Sequence, residues 1–283
     1  MESADLRIFR TVAREGSITK AALQLGYVQS NVTARVQQLE SELGTVLFYR
    51  HNRGMTLSSS GKALLAYADK IVGLLDEATK ALSSLSEPSG PLIIGSTQTA
   101  AAVRLPKLLA SYYEQNPRVQ LSLTTGHSEF LMENVLQYVM DGAFIGCKCT
   151  HPDLQSIPAF QEELVIVSAP TIATLEMALK RPILVFSSGC SYRDVLNQWL
   201  STTGLTQPTI MEFGTLEAIL GGVTAGLGIS LMPRSIVNKA ELEGTIRTHS
   251  IPAPYTHMTT EFITRKDSFI SSALQALMTM ITE

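Results

Sequence analysis

The sequence predicts an α/β protein that carries an N-terminal all-α winged helix-turn-helix and a long linker helix. Three observations lead there. In the first sixty residues, helix-length apolar patterns are divided by Gly16 and Gly26 and followed by two short extended runs around Asn52-Arg53-Gly54. From Ser59 to Leu85 apolar residues recur at alternating spacings of four and three. Beyond Pro91 strand-like and helix-like patterns alternate, as in an α/β sheet.

Leu6, Phe9, Val12 and Ala13 follow helical spacing, and Glu15-Gly16 ends that helix. Ser17 is a suitable N-cap for the next helix, which buries Ala21, Ala22 and Leu25 and stops at Gly26. In the third, Val32, Val36, Leu39 and Leu43 form one apolar stripe, and Gln29, Ser30, Thr33, Arg35, Gln37 and Gln38 lie opposite. Gln and Arg can pair with base edges through two hydrogen bonds, and Ser or Thr can bond bases or phosphates. In a helix-turn-helix the start of the second helix sits deepest in the major groove, so Gln29, Ser30, Asn31, Thr33 and Arg35 are the expected readers. Ser17 and Thr19, at the start of the preceding helix, join the candidate contact set. Val46 to Tyr49 and Met55 to Ser58 read as paired strands, a wing that places Arg50, His51 and Arg53 for backbone or minor-groove contacts. The plainer alternative is three amphipathic helices and a hairpin from any small domain.

The chain's 283 residues allow two domains, and 45% hydrophobic with 17% charged residues describes a folded globular protein. No apolar run reaches bilayer-spanning length, the N-terminus has no signal-peptide pattern, and three cysteines do not suggest a disulfide framework. A cytoplasmic location is therefore expected. Net charge is −3, yet residues 1–58 carry +2 and the remainder −5, and no acid falls between Gly16 and Leu39. A local basic surface on an acidic body suits a modest phosphate footprint.

Leu64, Ala68, Ile71, Leu75, Ala78, Leu82 and Leu85 form a heptad seam, expected to pair two copies so that two recognition helices read a palindromic site on double-stranded DNA. Leu65, Val72 and Leu74 widen the stripe, which is how a helix lying on a core would read. Ser86 to Pro91 holds two prolines and a glycine and reads as a hinge. The expected domains are residues 1–58 for DNA binding, 59–86 for dimerisation and 87–283 for regulation.

In the last part, expected strands are Leu92 to Gly95, Val119 to Thr125, Ala143 to Gly146, Glu163 to Ser168, Ile183 to Phe186, Gly228 to Met232 and Thr259 to Thr264. Expected helices include Val103 to Gln115, Leu216 to Ala225 and Ser268 to Ile281. Four strand ends run into hydroxyl-rich turns: Ser96, Thr97, Gln98 and Thr99; Gly126, His127 and Ser128; residues 187–191 with Cys190 and Ser191; and Gly214 with Thr215. Ligands bind at the carboxyl ends of strands in open α/β sheets, and helix N-termini favour anions. These residues are the expected effector site, for a small anion. Taken singly, each turn is equally a helix cap.

Phe9 to Ser17, Ala21-Ala22-Leu23, Gln29-Ser30, Leu39-Glu40 with Leu43-Gly44, Leu47-Phe48 with Arg50, and Leu57 with Gly61 together resemble the opening of the LysR-type transcriptional regulators. At Ala34 the chain departs from that family, which often has Arg there. Gly95-Ser96, Leu105-Pro106, Asn116-Pro117, Gly226 to Gly228 and Met232-Pro233 are similar to its regulatory part. The resemblance implies a two-lobed, periplasmic-binding-protein-like effector domain, a small-molecule effector, a homodimer or homotetramer, and RNA polymerase as a further partner. It implies no enzyme, cofactor or metal.

Two other classes remain open from the residues. Cys190 beside Arg193 suggests a thiolate and a redox-responsive regulator, although no resolving cysteine follows it. An α/β enzyme with an incidental helical domain would need a nucleophile motif, and none is present. Cys147, Cys149 and His151 offer three metal donors without a clear fourth.

Overall fold

A computed structural model defines the structure of this chain; it describes all residues except 52–53, 83–86, 187–190 and 204–208, together with the side chains of residues 80–82 and 203. The first unit opens with α1 (Ser3–Glu15), α2 (Ile18–Leu25) and α3 (Gln29–Leu43), each closed by a glycine in the left-handed region. β1 (Phe48–His51) and β2 (Gly54–Leu57) pair antiparallel as the wing, and α4 (Ser59–Leu82) follows. The apolar faces read from the sequence form one core: Leu6, Phe9 and Val12 of α1, Ala21 and Ala22 of α2, and Val32, Val36 and Leu39 of α3 are all buried. Ala68 and Val72 of α4 close it, so the upper part of the expected heptad seam packs inward. Ile71, Leu74 and Leu75 remain exposed, while Leu82 and Leu85 fall outside the described side chains.

Ser58 ties the wing to α4. Its hydroxyl donates to Val46 O at 2.6 Å and accepts from Gly61 N at 2.9 Å. Gly61 passes so close to the wing that a Cβ there would stand 2.2 Å from Leu47 O.

The second unit begins at β3 (Gly90–Ser96) and continues through α5 (Gln98–Val103), α6 (Leu105–Gln115), β4 (Val119–Thr125), α7 (Ser128–Leu136), β5 (Gly142–Ile145) and β6 (Leu154–Ser168). It then runs through α8 (Leu175–Ala178), β7 (Ile183–Phe186), α9 (Ser191–Thr203), β8 (Ile210–Phe213), α10 (Leu216–Thr224) and β9 (Ser230–Pro233). It closes with α11 (Arg234–Leu242), β10 (Arg247–Ser250), β11 (His257–Arg265) and α12 (Ser272–Thr282). The α/β class is as expected.

The expected helix from Val103 is α6, which starts two residues later at Leu105 with Pro106 in its first turn, where a missing N–H is tolerated; Val103 instead ends the separate α5. The expected strand at Glu163 is the second half of a 15-residue strand. Its first half contains Pro158, which disfavours a strand reading; the register shift between Thr260 and Glu261 of β11 accommodates it. β8 and β10 were not expected, being short, with no clear apolar alternation.

β4, β3 and β5 are parallel neighbours, and β11 joins β5 to the first half of β6. The second half of β6 pairs with β10 and β9. Each half has its own core. Leu92, Ile94, Leu105, Tyr112, Phe144 and Phe262 are buried in the first lobe, and Leu164, Ile166, Ile183, Trp199, Ile229 and Leu231 in the second. The chain thus crosses between lobes within β6 and returns through β11.

The crossing is clamped by charge. Glu162, 4% exposed, accepts from Arg104 Nε at 2.6 Å and from Ser235 Oγ of α11 at 2.8 Å. The hydrogen bond to Glu162 raises the Arg104 pKa, against a smaller opposing effect of burial. Arg234 holds the neighbouring Glu163 at 2.9 Å.

Gly61→Ala should cost the N-terminal unit about 1–3 kcal/mol, the usual penalty of an overpacked contact. Calorimetry should show a lowered melting transition for that unit, with the transition of the isolated second unit as reference.

Candidate nucleic-acid interface and ligand cleft

Ser17 caps α2 by accepting from Lys20 N at 3.4 Å, and Thr19 and Lys20 beyond it are exposed. The turn to α3 passes through Tyr27 and Val28, and Val28 occupies the N-cap position without a side-chain acceptor. Gln29, Ser30 and Asn31 follow, all exposed, while Val32 anchors the helix in the core. The sequence thus folds so that the first turn of α3 projects three polar side chains. Thr33 is half-buried and donates its hydroxyl to Gln29 O at 2.9 Å.

Arg35 is placed otherwise than expected. Its guanidinium donates to Asp5 Oδ1 at 3.0 Å, and Asp5 is only 4% exposed. Asp5 also accepts from Glu2 N at 2.8 Å, so this ion pair locks the start of α1 onto α3. A buried carboxylate left without its cation is costly, which makes Arg35 a structural residue first.

Much of the basic charge of α1 is similarly engaged. Arg7 lies 2.5 Å from Asp76, and Arg14 lies 2.7 Å from Asp69, both partners being on α4. Arg10 faces Asp76 at 3.9 Å, and burial followed by the neighbouring Arg14 lowers its pKa. Lys20 and Arg50 are exposed and form no ion pair among the described residues. His51 is exposed on β1, and Arg53 lies outside the described residues.

In the second unit the four expected turns converge, as far as they are described. A cleft of about 160 Å³ between the lobes is lined by Thr97, Gln98, Thr99, His127, Ser128 and Ser191, together with Gly126, Gly146, Phe186, Tyr192 and Gly214. Ser96 and Thr215, also expected there, stand behind it. Ser96 is fully buried and donates to Thr97 O at 3.0 Å, and Thr215 caps α10 by accepting from Ala218 N at 3.2 Å. Cys190 lies outside the described residues.

Tyr192, like Gly146 and Phe186, is a lining residue that the hydroxyl pattern did not reveal. An aromatic one position into a helix reads as core, and its ring does pack with Trp199 and Leu196.

Hydrogen bonds stitch the cleft across the lobes. Gln98 Nε2 donates to Gly214 O at 3.3 Å, and its Oε1 accepts from Leu216 N at 3.1 Å. Thr99 Oγ1 and Tyr192 Oη are 2.7 Å apart, and Ser128 Oγ and Ser191 Oγ are 3.0 Å apart. Each hydroxyl can donate or accept, so the same atoms can turn to an incoming ligand. No Asp, Glu, Lys or Arg lines the cleft among the described residues.

Cys147, behind Gly146, is half-buried. Burial raises its pKa, and hydrogen bonding with Ser191 and Ser128 opposes this only partly. Among the described residues no three His, Cys, Asp or Glu side chains gather to hold a metal ion.

This combination, a winged helix-turn-helix with a polar, acid-free reading turn joined to a two-lobed unit around a hydroxyl-lined cleft, defines a DNA-binding transcriptional regulator that answers to a ligand. Family models agree: residues 3–62 match the bacterial regulatory helix-turn-helix protein, lysR family, and residues 85–283 match the LysR substrate binding domain. The chain belongs to the LysR family. It is 70% identical over 282 residues to the uncharacterized HTH-type transcriptional regulator YusT of Bacillus subtilis strain 168, covering 100% of this chain and 96% of that one. It is 50% identical over 277 residues to the HTH-type transcriptional regulator GltR of the same organism, covering 97% and 94%. Among solved structures, full-length CbnR in complex with its target DNA has the same fold, with a TM-score of 0.70 at 23% identity and coverage of 100% and 99%. The relatives are regulators by name, and the α/β enzyme reading is set aside on that ground. Among the described residues no helix is long and apolar enough to cross a membrane.

Because a raised pKa leaves less thiolate at a given pH, Cys147 should alkylate more slowly with iodoacetamide than a free thiol at neutral pH. Its rate should keep rising with pH beyond the ordinary thiol value, as peptide mass spectrometry can follow.

Proposed function

We propose that residues 1–58 read a palindromic operator on double-stranded DNA, residues 59–86 pair the copies, and residues 87–283 bind a small anionic effector that tunes transcription. The observation that carries this reading is the exposed first turn of α3 in the same chain as the hydroxyl-lined cleft. Gln29, Ser30 and Asn31 contact base edges; Ser17, Thr19, Thr33, Arg50, His51 and Arg53 hold phosphates or support the readers. Arg35 acts by fixing α3 on α1. The fold shared with CbnR, solved in complex with its target DNA, supports a matching arrangement here.

The homodimer or homotetramer forms through α4, where Tyr67, Ile71, Leu74 and Leu75 expose an apolar stripe at helical spacing. The effector is small, because the cleft encloses only about 160 Å³. An anion suits a lining of Thr97, Thr99, Ser128, Ser191 and Tyr192 hydroxyls without a carboxylate, at the starts of α7 and α9. Binding must favour one arrangement of the subunits over another, which is how a ligand biases the two reading helices. The protein works in the cytoplasm, where RNA polymerase is its further partner.

Gel-shift titration tests the DNA side. Gln29→Ala should weaken binding to a selected operator by about tenfold and leave binding to random DNA nearly unchanged. Arg35→Ala should instead lower the melting temperature of the N-terminal unit, by the equivalent of about 1–3 kcal/mol, because it leaves the buried Asp5 carboxylate without its cation.

Thermal shift with a library of small carboxylates tests the cleft. A binding acid should raise the transition of the full chain, and Thr99→Val should reduce that rise by removing both a ligand donor and the Tyr192 bond. If no acid in the library shifts it while neutral compounds do, the anion assignment is wrong.

A further inference from the structure

The apolar side chains at the mouth of the reading helix have no role in the fold. Val28 is 68% exposed, Tyr27 is 47% exposed, and Leu23 on α2 is 85% exposed. Burial favours apolar side chains, and an N-cap position favours Ser, Thr, Asp or Asn, whose oxygen accepts a first-turn N–H. Ser17, Thr174, Thr215 and Ser271 each cap a helix through the side chain, whereas α3, like α5, α6 and α11, starts without such a cap. Val28 neither packs nor caps. It stands at the tip of α3 immediately before Gln29, continuous with the surface that meets the base edges.

We infer that Val28, with Tyr27 beside it, is a specificity-determining contact that reads thymine by its 5-methyl group. The inference rests on the DNA-binding reading of α3 and names what that surface selects. The major groove presents one apolar group, the thymine methyl, and apolar side chains recognise it by excluding water from it. The surrounding surface favours DNA over a protein as the occupant. No acid lies between Gly16 and Leu39, so a polyanion can approach along the whole of α2 and the reading turn. Polar Gln29, Ser30 and Asn31 flank the apolar tip, as suits a groove floor of mixed donors, acceptors and methyls. The β-branched Val28 is also restricted at χ1, so little side-chain entropy is lost on contact.

The test starts from duplexes selected by the full-length protein from random DNA. Each thymine of a half-site is then replaced by uracil, which removes the methyl and keeps every hydrogen-bonding group. The wild-type protein should lose about fourfold in affinity at one thymine position per half-site, the value of one buried methyl-sized group. Val28→Ser and Val28→Ala should lose that sensitivity and keep the discrimination due to Gln29. The melting temperature of Val28→Ser should be unchanged or higher, because the hydroxyl supplies the missing cap; a merely structural role for Val28 would lower it. Selected duplexes whose binding ignores every thymine methyl, or Val28 variants that retain the wild-type uracil response, overturn the proposal while leaving the DNA reading intact. A Val28→Ser protein with unaltered DNA binding but a changed sedimentation coefficient also overturns it, in favour of a protein contact. Failure to select any duplex overturns the DNA reading and the proposal together.

Discussion

One strand serves both lobes of the regulatory unit. Leu154–Ser168 pairs with β11 through its first half and with β9 and β10 through its second, so neither lobe can move without bending this strand or β11. At the crossing, Glu162 would be an uncompensated buried charge without Arg104 from the first lobe and Ser235 from the second. Arg104 directly follows α5, whose start carries Gln98 and Thr99 into the cleft. The groups that line the cleft and the arginine that holds the crossing therefore sit at the two ends of one short helix.

The cleft itself is closed by neutral hydrogen bonds rather than ion pairs. Gln98 to the start of α10, Thr99 to Tyr192, and Ser128 to Ser191 join the lobes through groups that can exchange partners at small cost. A ligand that takes over these hydroxyls replaces one set of hydrogen bonds with another. Buried charge pairs would resist such an exchange far more strongly.

In the DNA-binding unit, charge is divided between structure and recognition. Arg7 and Arg14 meet acids on α4, and Arg35 meets Asp5, so several cations that gave this region its positive balance hold helices together. The arginines of these pairs are partly exposed, while the Asp5 and Asp69 carboxylates are buried. The effect of the pairs is to leave the reading turn to neutral polar and apolar side chains, which favours selection of bases over general attraction to phosphate.

Much of this was legible in the sequence because it rests on local physics. Periodic burial of Leu6, Phe9 and Val12, of Ala21 and Ala22, and of Val32, Val36 and Leu39 set the three helices, glycines ended them, and hydroxyl-rich turns at strand ends marked eight of the cleft's described lining residues. Pro158 hid half of β6, since a proline argues against a strand until a bulge, here the unpaired Ala159 beside it, accommodates it. The hydroxyl pattern did not reveal Tyr192, and the spacing of Arg35 did not reveal its pairing with Asp5, because spacing along a chain does not tell which distant group a side chain will meet. The sequence by itself determined the class of fold, the reading helix and the turns. Only the tertiary structure decided which arginines are engaged by acids, which hydroxyls face one another across the cleft, and that Val28 stands bare at the tip of α3. Those facts depend on contacts between residues far apart in the chain, and no local pattern records them.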